Sequence, residues 1–152
     1  MIKKIDFKHI SVYQKPEESP GLLLWRVSTQ WRYAIENTLK PLGLTHPQFV
    51  ILATTAWLTK NGDVVSQVDI GRMADLDPNT TSQILRGLEK KNLITRLHSE
   101  DEKHKNPVLT SQGTQMLTEA MPAVERSDSA FFSQLTETEL RMLIATFQKL
   151  HK

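Results

Sequence analysis

The chain has 152 residues, of which 39% are hydrophobic and 24% are charged. This composition is typical of one globular domain and excludes a disordered chain. The sequence contains no cysteine, which excludes disulfides, thiol redox sensing, cysteine nucleophiles and cysteine-ligated zinc. No apolar run is long enough to span a bilayer, and no apolar signal core follows Met1–Lys8. We therefore expect a cytoplasmic protein that makes no membrane contact.

The formal net charge of +2 is distributed unevenly along the chain. Between positions 78 and 96 four basic residues stand against one acidic residue, whereas residues 111–152 carry four basic and five acidic ones. A positive segment within a near-neutral chain favours contact with phosphate groups. A solvated helix face accounts for the same charges equally well.

Start and stop signals predict two helices in the first sixty residues. Ser19 and Pro20 are typical of an N-cap and a first helical position, and this helix ends before Pro41. Its apolar stripe comprises Leu24, Val27, Trp31, Ala34, Ile35 and Leu39. The second helix begins at Thr45, which has capping-box spacing to Gln48, and it ends at the Asn-Gly turn at 61–62. Its predicted buried residues are Phe49, Leu52, Ala53 and Ala56.

Two short helices separated by a tight turn follow. Ser66 caps the first, with Asp69 at the reciprocal capping position, and Asp77 followed by Pro78 starts the second. The predicted inward residues are Ile70, Met73 and Ala74 in the first helix and Ile84, Leu85 and Leu88 in the second. This spacing predicts a helix-turn-helix. Gly71 is costly in mid-helix, and we expect it to permit close approach of the second helix.

The segment behind the second short helix changes character. Residues 93–98 alternate as in a strand, residues 99–106 are wholly polar, and residues 107–109 are apolar enough to return as a second strand. The alternatives are an irregular surface loop and a β-hairpin wing whose charged tip reaches the DNA backbone or minor groove. The position directly after a helix-turn-helix favours the wing.

The C-terminal third is predicted to be helical again. One helix starts at Thr110, with a kink expected at Pro122, and another starts at the capping box of Thr136 and Glu139. The stripe of this last helix comprises Leu140, Leu143, Ile144, Phe147 and Leu150. The stripe fits either the core of a single chain or, together with the first helix, a dimer interface.

The helix that begins at Asp77 carries residue types suited to duplex DNA. An α-helix fits the major groove and presents its early side chains to base edges, where Asn and Gln pair with adenine and threonine methyls touch thymine. The candidate base-contacting residues are Asn79, Thr80, Thr81, Ser82 and Gln83. The candidate phosphate contacts are Arg86, Lys90 and Arg96, with Lys103, His104 and Lys105 at the wing. Helix starts rich in Ser, Thr and Asn also arise from capping, but Asp77 already occupies the cap.

Several motifs in this order resemble the MarR family of winged-helix regulators. They are Ser66–Ile70 opening the first short helix, Leu88–Ile94 closing the second, Asp101-x-Lys103, Leu109-Thr110-x-x-Gly113, and Leu44–Phe49 at the second long helix. The resemblance covers nearly the whole chain after residue 20. Two positions depart from the usual pattern. The wing carries Lys103 where arginine is common, which weakens its pairing with Asp101, and Gln83 stands where the recognition helix is often basic.

The resemblance implies a single domain over residues 1–152, mostly α with a small β wing. Residues 44–110 would form the winged helix-turn-helix, and residues 20–42 and 111–152 would form dimerisation helices. It further implies a homodimeric regulator, acting as a repressor on a pseudo-palindromic operator and released by a small aromatic ligand. Candidate ligand contacts are Trp25, Arg26, His46 and Phe49, although aromatic residues at helical spacing are more often plain core.

Three other functions remain as alternatives. A metal-responsive regulator would use some of the five histidines, but His9, His46, His98, His104 and His151 form no short ligand motif. A winged-helix module that binds only proteins has the same fold but usually carries apolar anchors on its docking helix. An enzyme is not indicated, because no phosphate loop, nucleophile elbow or catalytic constellation is present. We expect neither a cofactor nor a resident metal.

Overall fold

The computed structural model describes residues 1–98 and 105–152, with only the backbone of His98 and Lys105. In these ranges the chain forms, in order, α1 (Pro20–Leu39), α2 (His46–Thr59), α3 (Gln67–Met73), α4 (Pro78–Lys90), β1 (Ile94–His98), β2 (Lys105–Leu109), α5 (Ser111–Phe131) and α6 (Glu137–Leu150). Short 3-10 turns lie at Phe7–His9, Pro16–Glu18 and Lys40–Leu42. The predicted fold class is confirmed. Each of the helices described is too short or too polar to cross a membrane.

Each α-helix begins at the N-cap residue that the sequence predicts. In every case the side chain of the cap accepts a hydrogen bond from the backbone N–H three residues later, and the caps are Ser19, Thr45, Ser66, Asp77, Thr110 and Thr136. Full capping boxes form at Thr45, Ser66 and Thr136. Sequence predicts these starts well because a cap satisfies donors within its own first turn and needs no distant partner.

The hydrophobic core lies where α1, α2, α4 and α5 meet. Ile35 and Leu39 enter it from the second half of α1, and Ala120 and Val124 enter from α5. The other fully buried aliphatic side chains are Ile51, Leu52, Ile70, Leu85, Leu88 and Ile94. Burial of one such aliphatic side chain is worth about 1.5–3 kcal/mol, so this cluster unites the helix-turn-helix with the two long helices.

Several predicted apolar positions are not buried in the single chain. Leu24 and Val27 of α1 are 57% and 44% exposed, and Met73 of α3 is 50% exposed. In α6, Ile144, Phe147 and Leu150 are 48%, 45% and 70% exposed. The periodicity places Leu24 and Val27 on the same face of α1 as the buried Ile35 and Leu39, but the single chain leaves them exposed. The expectation that Met73 of α3 points inward is wrong for one chain.

The predicted wing is confirmed as an antiparallel pair of strands. The register places Ile94 opposite Leu109, Arg96 opposite Pro107 and His98 opposite Lys105. Asn92, just before β1, has a φ of 58°; this left-handed backbone is one that Asn tolerates better than most residues.

The start of α5 lies directly on the backbone that leaves α4. The Thr110 N–H donates to the carbonyl of Leu93 at 3.1 Å, and the Thr110 hydroxyl donates to the carbonyl of Asn92 at 2.7 Å. A Cβ atom on Gly113 would lie 1.9 Å from the Leu93 carbonyl oxygen. Gly71 plays a similar part in α3, since a Cβ there would lie 2.8 Å from Oγ1 of Thr81. The expected close approach of α4 to Gly71 is confirmed.

We predict that Gly113→Ala lowers the free energy of unfolding by about 3 kcal/mol or more, because a rigid carbonyl occupies the space of the new methyl group. The measurement is urea denaturation followed by circular dichroism. Gly21→Ala in α1 is the matched control, since a Cβ there meets no atom within 4 Å, and it should change the free energy by less than about 1 kcal/mol. Equal effects of the two substitutions would contradict the proposed contact.

Candidate nucleic-acid interface

Four side chains form one exposed stripe along α4. Asn79, Gln83, Arg86 and Lys90 are exposed and lie at successive spacings of four, three and four residues, which places them on one helix face. Neither the Arg86 guanidinium nor the Lys90 ammonium pairs with a carboxylate in the ranges 1–98 and 105–152. The stripe therefore offers two amides at its beginning and two cations further along.

The opposite face of α4 explains why the stripe points outward. Leu85 and Leu88 have no exposed surface and Ile84 is half-buried. The apolar side of the helix is thereby held against the core, and the helix cannot rotate about its axis without exposing those leucines to water. The predicted inward face of this helix is confirmed.

A carboxylate caps the beginning of α4. Oδ1 of Asp77 accepts the backbone N–H of Thr80 at 2.9 Å, and Oδ2 accepts the Thr80 hydroxyl at 2.6 Å. The hydrogen bond from the Thr80 hydroxyl, followed by that from its backbone N–H, holds the pKa of Asp77 below its ordinary value. Thr80 is half-buried, and its hydroxyl already donates to Asp77. Its hydroxyl oxygen can therefore accept a further hydrogen bond but cannot donate one.

Thr81 is a buried residue, and its assignment as a base-contacting side chain is wrong. Its exposed fraction is 0%, and its hydroxyl donates to the Asp77 carbonyl at 2.9 Å while it packs against Gly71. Five consecutive residues cannot share one face of a helix that advances by 100° per residue. Ser82 is half-buried, so Asn79 and Gln83 are the most accessible of the five candidates.

Arg96 connects the wing to the helix-turn-helix. Its Nε donates to Oε1 of Glu89 at 2.6 Å and its Nη2 donates to Oε1 of Gln67 at 3.1 Å, with 21% of the Arg96 side chain exposed. The guanidinium of Arg96 is thus bound within the protein, and the expectation that it contacts phosphate is corrected. The sequence count of basic residues did not show the pairing, because Glu89 and Gln67 lie on different helices.

The remaining candidates for DNA contact in the wing are Lys103, His104 and Lys105. Lys103 and His104 lie outside the described residues, and Lys105 is described only as a backbone position of β2. Their contacts with DNA stay predictions.

Two further basic residues near the stripe were not among the sequence candidates. Lys91 donates to Oε1 of Gln48 at 2.8 Å and to the carbonyl of Gly43, which connects the end of α4 to the start of α2. Arg72 is exposed in the last turn of α3, where it shares a shallow cavity of about 250 Å³ with Pro78 at the beginning of α4. The sequence did contain a signal for Arg72, because it is a basic residue in the last turn of the first short helix, just before the turn that leads to α4.

The four candidate ligand contacts fall into two separate environments. His46 and Phe49 are 9% and 7% exposed, whereas Trp25 is 66% exposed and Arg26 lies in solvent 4.0 Å from Glu17. The indole that meets His46 is that of Trp31, with ring centroids 5.0 Å apart in an edge-to-face arrangement. The expectation that these four residues line one cleft is thus corrected for the single chain.

Trp31 and His46 belong to a junction of three helices. Trp31 of α1 donates its Nε1–H to Oδ1 of Asp128 of α5 at 2.7 Å. Burial lowers the pKa of His46 at the start of α2, and this effect exceeds the opposing one of the Glu36 and Asp128 carboxylates. The lowered pKa favours the neutral imidazole, which packs edge-to-face against the Trp31 indole.

Comparison with known proteins agrees with this geometry. The MarR family model matches residues 44–105, the range from the start of α2 to the start of β2. An uncharacterized HTH-type transcriptional regulator of Bacillus subtilis (strain 168), YdcH, is 32% identical over 130 residues, which cover 85% of this chain and 88% of that protein. The chain belongs to the MarR family. The predicted family, that of the MarR transcriptional regulators, is confirmed.

Other similar proteins extend the comparison. The HTH-type transcriptional repressor Rv2887 of Mycobacterium tuberculosis is 29% identical over 131 residues, which cover 86% of this chain and 91% of that protein. Its structure in complex with DNA superposes with a TM-score of 0.66 at 26% identity, covering 88% of this chain and 98% of that one. A MarR-family regulator from Rhodococcus sp. RHA1 has the same fold, with a TM-score of 0.80 at 22% identity and coverage of 91% and 96%.

We predict that Arg96→Ala lowers the free energy of unfolding by about 1–2 kcal/mol, because it removes two partly buried hydrogen bonds and leaves Glu89 unpaired. Arg86→Ala, on the exposed stripe of the same winged segment, should change it by less than about 0.5 kcal/mol. Both values are measured by urea denaturation at pH 7. If the two variants lose the same stability, Arg96 has no special structural role.

Proposed function

We propose that this MarR-family chain is a sequence-specific regulator that binds duplex DNA as a homodimer and represses transcription. The observation that carries the proposal is the exposed stripe of Asn79, Gln83, Arg86 and Lys90 on α4. The DNA complex of the relative Rv2887 supports it. A helix in a helix-turn-helix with this polarity is suited to the major groove.

The order of residues along the stripe sets the role proposed for each one. Asn79 and Gln83 lie in the first two turns of α4, where amide side chains reach base edges and pair in bidentate fashion with adenine. Arg86 and Lys90 lie further along, where they neutralise phosphates and supply affinity common to all sequences. Arg72 at the end of α3 adds a third cation beside the beginning of α4.

The wing is proposed to make the outer DNA contacts. The bonds of Arg96 to Glu89 and Gln67 hold β1 against α4 and α3, so the base of the wing keeps a constant position relative to the stripe. Lys103, His104 and Lys105 would then contact the phosphate backbone or the minor groove beside the site read by α4. A lysine at position 103 lacks the planar fork of arginine and makes a weaker contact there.

The homodimer accounts for apolar surface that one chain leaves uncovered. In the described part of the chain α6 has no buried residue, although Met142 and Phe147 are 65% and 45% exposed. The first turns of α1 expose Leu24 and Trp25 in the same way. Exposed apolar side chains that lie together on a helix face are typical of interfaces between subunits. A two-fold symmetric pair would present two α4 helices to a pseudo-palindromic operator.

We predict that a double variant, Leu143→Asp with Phe147→Asp, is monomeric in sedimentation-velocity ultracentrifugation at micromolar concentration, because each charge would be buried in the dimer without a partner. Gln148→Asp adds a charge at an exposed polar position of the same helix and should stay dimeric. Circular dichroism checks that the variants are folded. A dimeric double variant would remove α6 from the interface, and a monomeric wild type would overturn the dimer itself.

The DNA-binding proposal is tested by fluorescence anisotropy on duplexes selected from a random pool. We predict that Gln83→Ala and Asn79→Ala lose about 1–3 kcal/mol of discrimination at one base pair each. Arg86→Ala should weaken binding to all sequences and lower the slope of log affinity against log salt by about one. Gln115→Ala, an exposed glutamine on α5, is the matched control and should change neither quantity.

Two results would contradict the DNA-binding proposal. Binding that is insensitive to salt and to sequence would point to a winged-helix module for protein partners. An unchanged preference in both Gln83→Ala and Asn79→Ala would show that another face of α4 enters the groove.

A small aromatic effector is proposed as the signal that releases the DNA. Rv2887 has been crystallised with salicylic acid and with p-aminosalicylic acid, which supports this chemistry for a relative. On this chain Trp25 and Arg26 are both exposed at the beginning of α1. An indole can stack on an aromatic ring, and a guanidinium can pair with a carboxylate. Salicylate added to the anisotropy titrations is the direct test, and operator affinity that does not change at millimolar salicylate would count against this acid.

A further inference from the structure

A cavity of about 620 Å³ lies behind the wing, away from the α4 stripe and from the Trp31–His46 junction. Its walls come from the end of α2, the turn at 62–64, both wing strands and the first half of α5. This volume is within the usual range for small-molecule sites, which is roughly 300–1,000 Å³. No role in the proposed DNA contacts or in the dimer accounts for it.

The register of the wing explains why this space is apolar. Alternation along the strands puts Leu97 and Val108 on one face of the sheet and Arg96 and Pro107 on the other. Arg96 and Pro107 belong to the side that faces α3 and α4, where Pro107 is fully buried. The face with Leu97 and Val108 is turned to the cavity, and Leu97 remains 51% exposed.

The opposite walls are aliphatic as well. Leu117 and Met121 line the cavity from α5, Ala56 lines it from α2, and Val64 lines it from the turn. Val64 is 68% exposed, which costs free energy in water because no side chain covers it. The described lining contains no aromatic ring, so the cavity is suited to an aliphatic body and offers no stacking surface for a flat aromatic one.

The polar groups of the cavity favour an uncharged ligand. The hydroxyls of Thr59, Thr114 and Thr118 each donate to a carbonyl one turn earlier in their own helix, so their oxygens can accept but not donate. The charged residues in the described lining are Lys60 and Asp63, whose charges cancel. The Lys60 ammonium already lies over the Trp57 ring. An alcohol matches this set, because its hydroxyl proton has acceptors and its chain needs no charge partner.

We propose that this cavity binds an uncharged, mainly aliphatic small molecule that carries a hydroxyl group, and that its occupancy lowers the affinity for DNA. The ligand would lie between the rear face of the wing and α5, and it would displace the first half of α5. The contact between Gly113 and Leu93 would pass this movement to the wing and α4 as one unit. The effect on DNA rests on the proposed function, whereas the binding itself does not.

The test follows the methyl resonances of Leu97, Val108 and Leu117 in the full-length protein during titration with 1-octanol. We expect saturable shifts at these methyls. Thr118→Trp places a large ring in the cavity from an exposed helix position and should weaken binding at least tenfold. Glu119→Trp, at the next exposed position of α5 and outside the lining, is the matched control and should bind as the wild type does. Shifts that do not saturate, or that persist in Thr118→Trp, would overturn the site.

Two other compounds test the chemistry of the ligand. Sodium octanoate has the same chain with a carboxylate and should bind at least fivefold more weakly than 1-octanol, and tighter binding would overturn the assignment to an uncharged ligand. Salicylate should leave these methyls unshifted, since its proposed contacts lie on α1, and saturable shifts with it would overturn the aliphatic preference.

Operator binding is measured separately. Saturating 1-octanol should lower the operator affinity of the wild type at least threefold and leave that of Thr118→Trp unchanged. Saturable binding of 1-octanol with unchanged operator affinity would overturn the regulatory part of the inference. A wild type that binds no DNA at all would instead overturn the proposed function, while the methyl shifts would still report on the cavity.

Discussion

The arrangement of this protein depends on the contact between the start of α5 and the backbone of Leu93. Gly113 lies so close to the Leu93 carbonyl that no side chain fits between them, and Thr110 donates two hydrogen bonds to the same stretch of backbone. Since Leu93 is the last residue before β1 in the short connection from α4, this contact sets the direction of α5 relative to the helix-turn-helix and to the wing. A movement of α5 is therefore transmitted to the elements proposed to read DNA, because these backbone groups have no room to slide past one another.

A second constraint is the close packing of α3 and α4. Gly71 and Thr81 let the two short helices approach at their crossing point, and Leu85 and Leu88 hold α4 against the core. These contacts leave one face of α4 for solvent, which is why Asn79, Gln83, Arg86 and Lys90 form a continuous stripe. Arg96 then joins the wing to this unit through Glu89 and Gln67, so α4 and the wing are held together.

One half of α1 is buried in the core of the chain, and its other half is exposed, as is α6. The second half of α1 packs with α2 and α5 through Ile35, Leu39 and the Trp31–Asp128 hydrogen bond, with His46 held neutral beside the indole by its burial. The first half of α1 and the whole of α6 leave apolar side chains in solvent. This division agrees with the proposed homodimer, in which a second copy would cover these apolar faces, and the Trp31 junction joins α1 to α2 and α5.

The sequence by itself determined where the helices begin, that a helix-turn-helix precedes a two-stranded wing, and which family the chain resembles. Caps such as Asp77 and Ser66 act within one turn, and apolar periodicity reports the inward face of a helix, so both can be seen in a linear chain.

Only the tertiary structure decided which polar residues are accessible. Thr81 is buried because α3 approaches it at Gly71. The Arg96 guanidinium is occupied because Glu89 and Gln67 converge on it. The expected aromatic cleft does not form in the single chain, because Trp31 and not Trp25 contacts His46. These outcomes depend on contacts between residues far apart in the chain, which local pattern and composition do not encode.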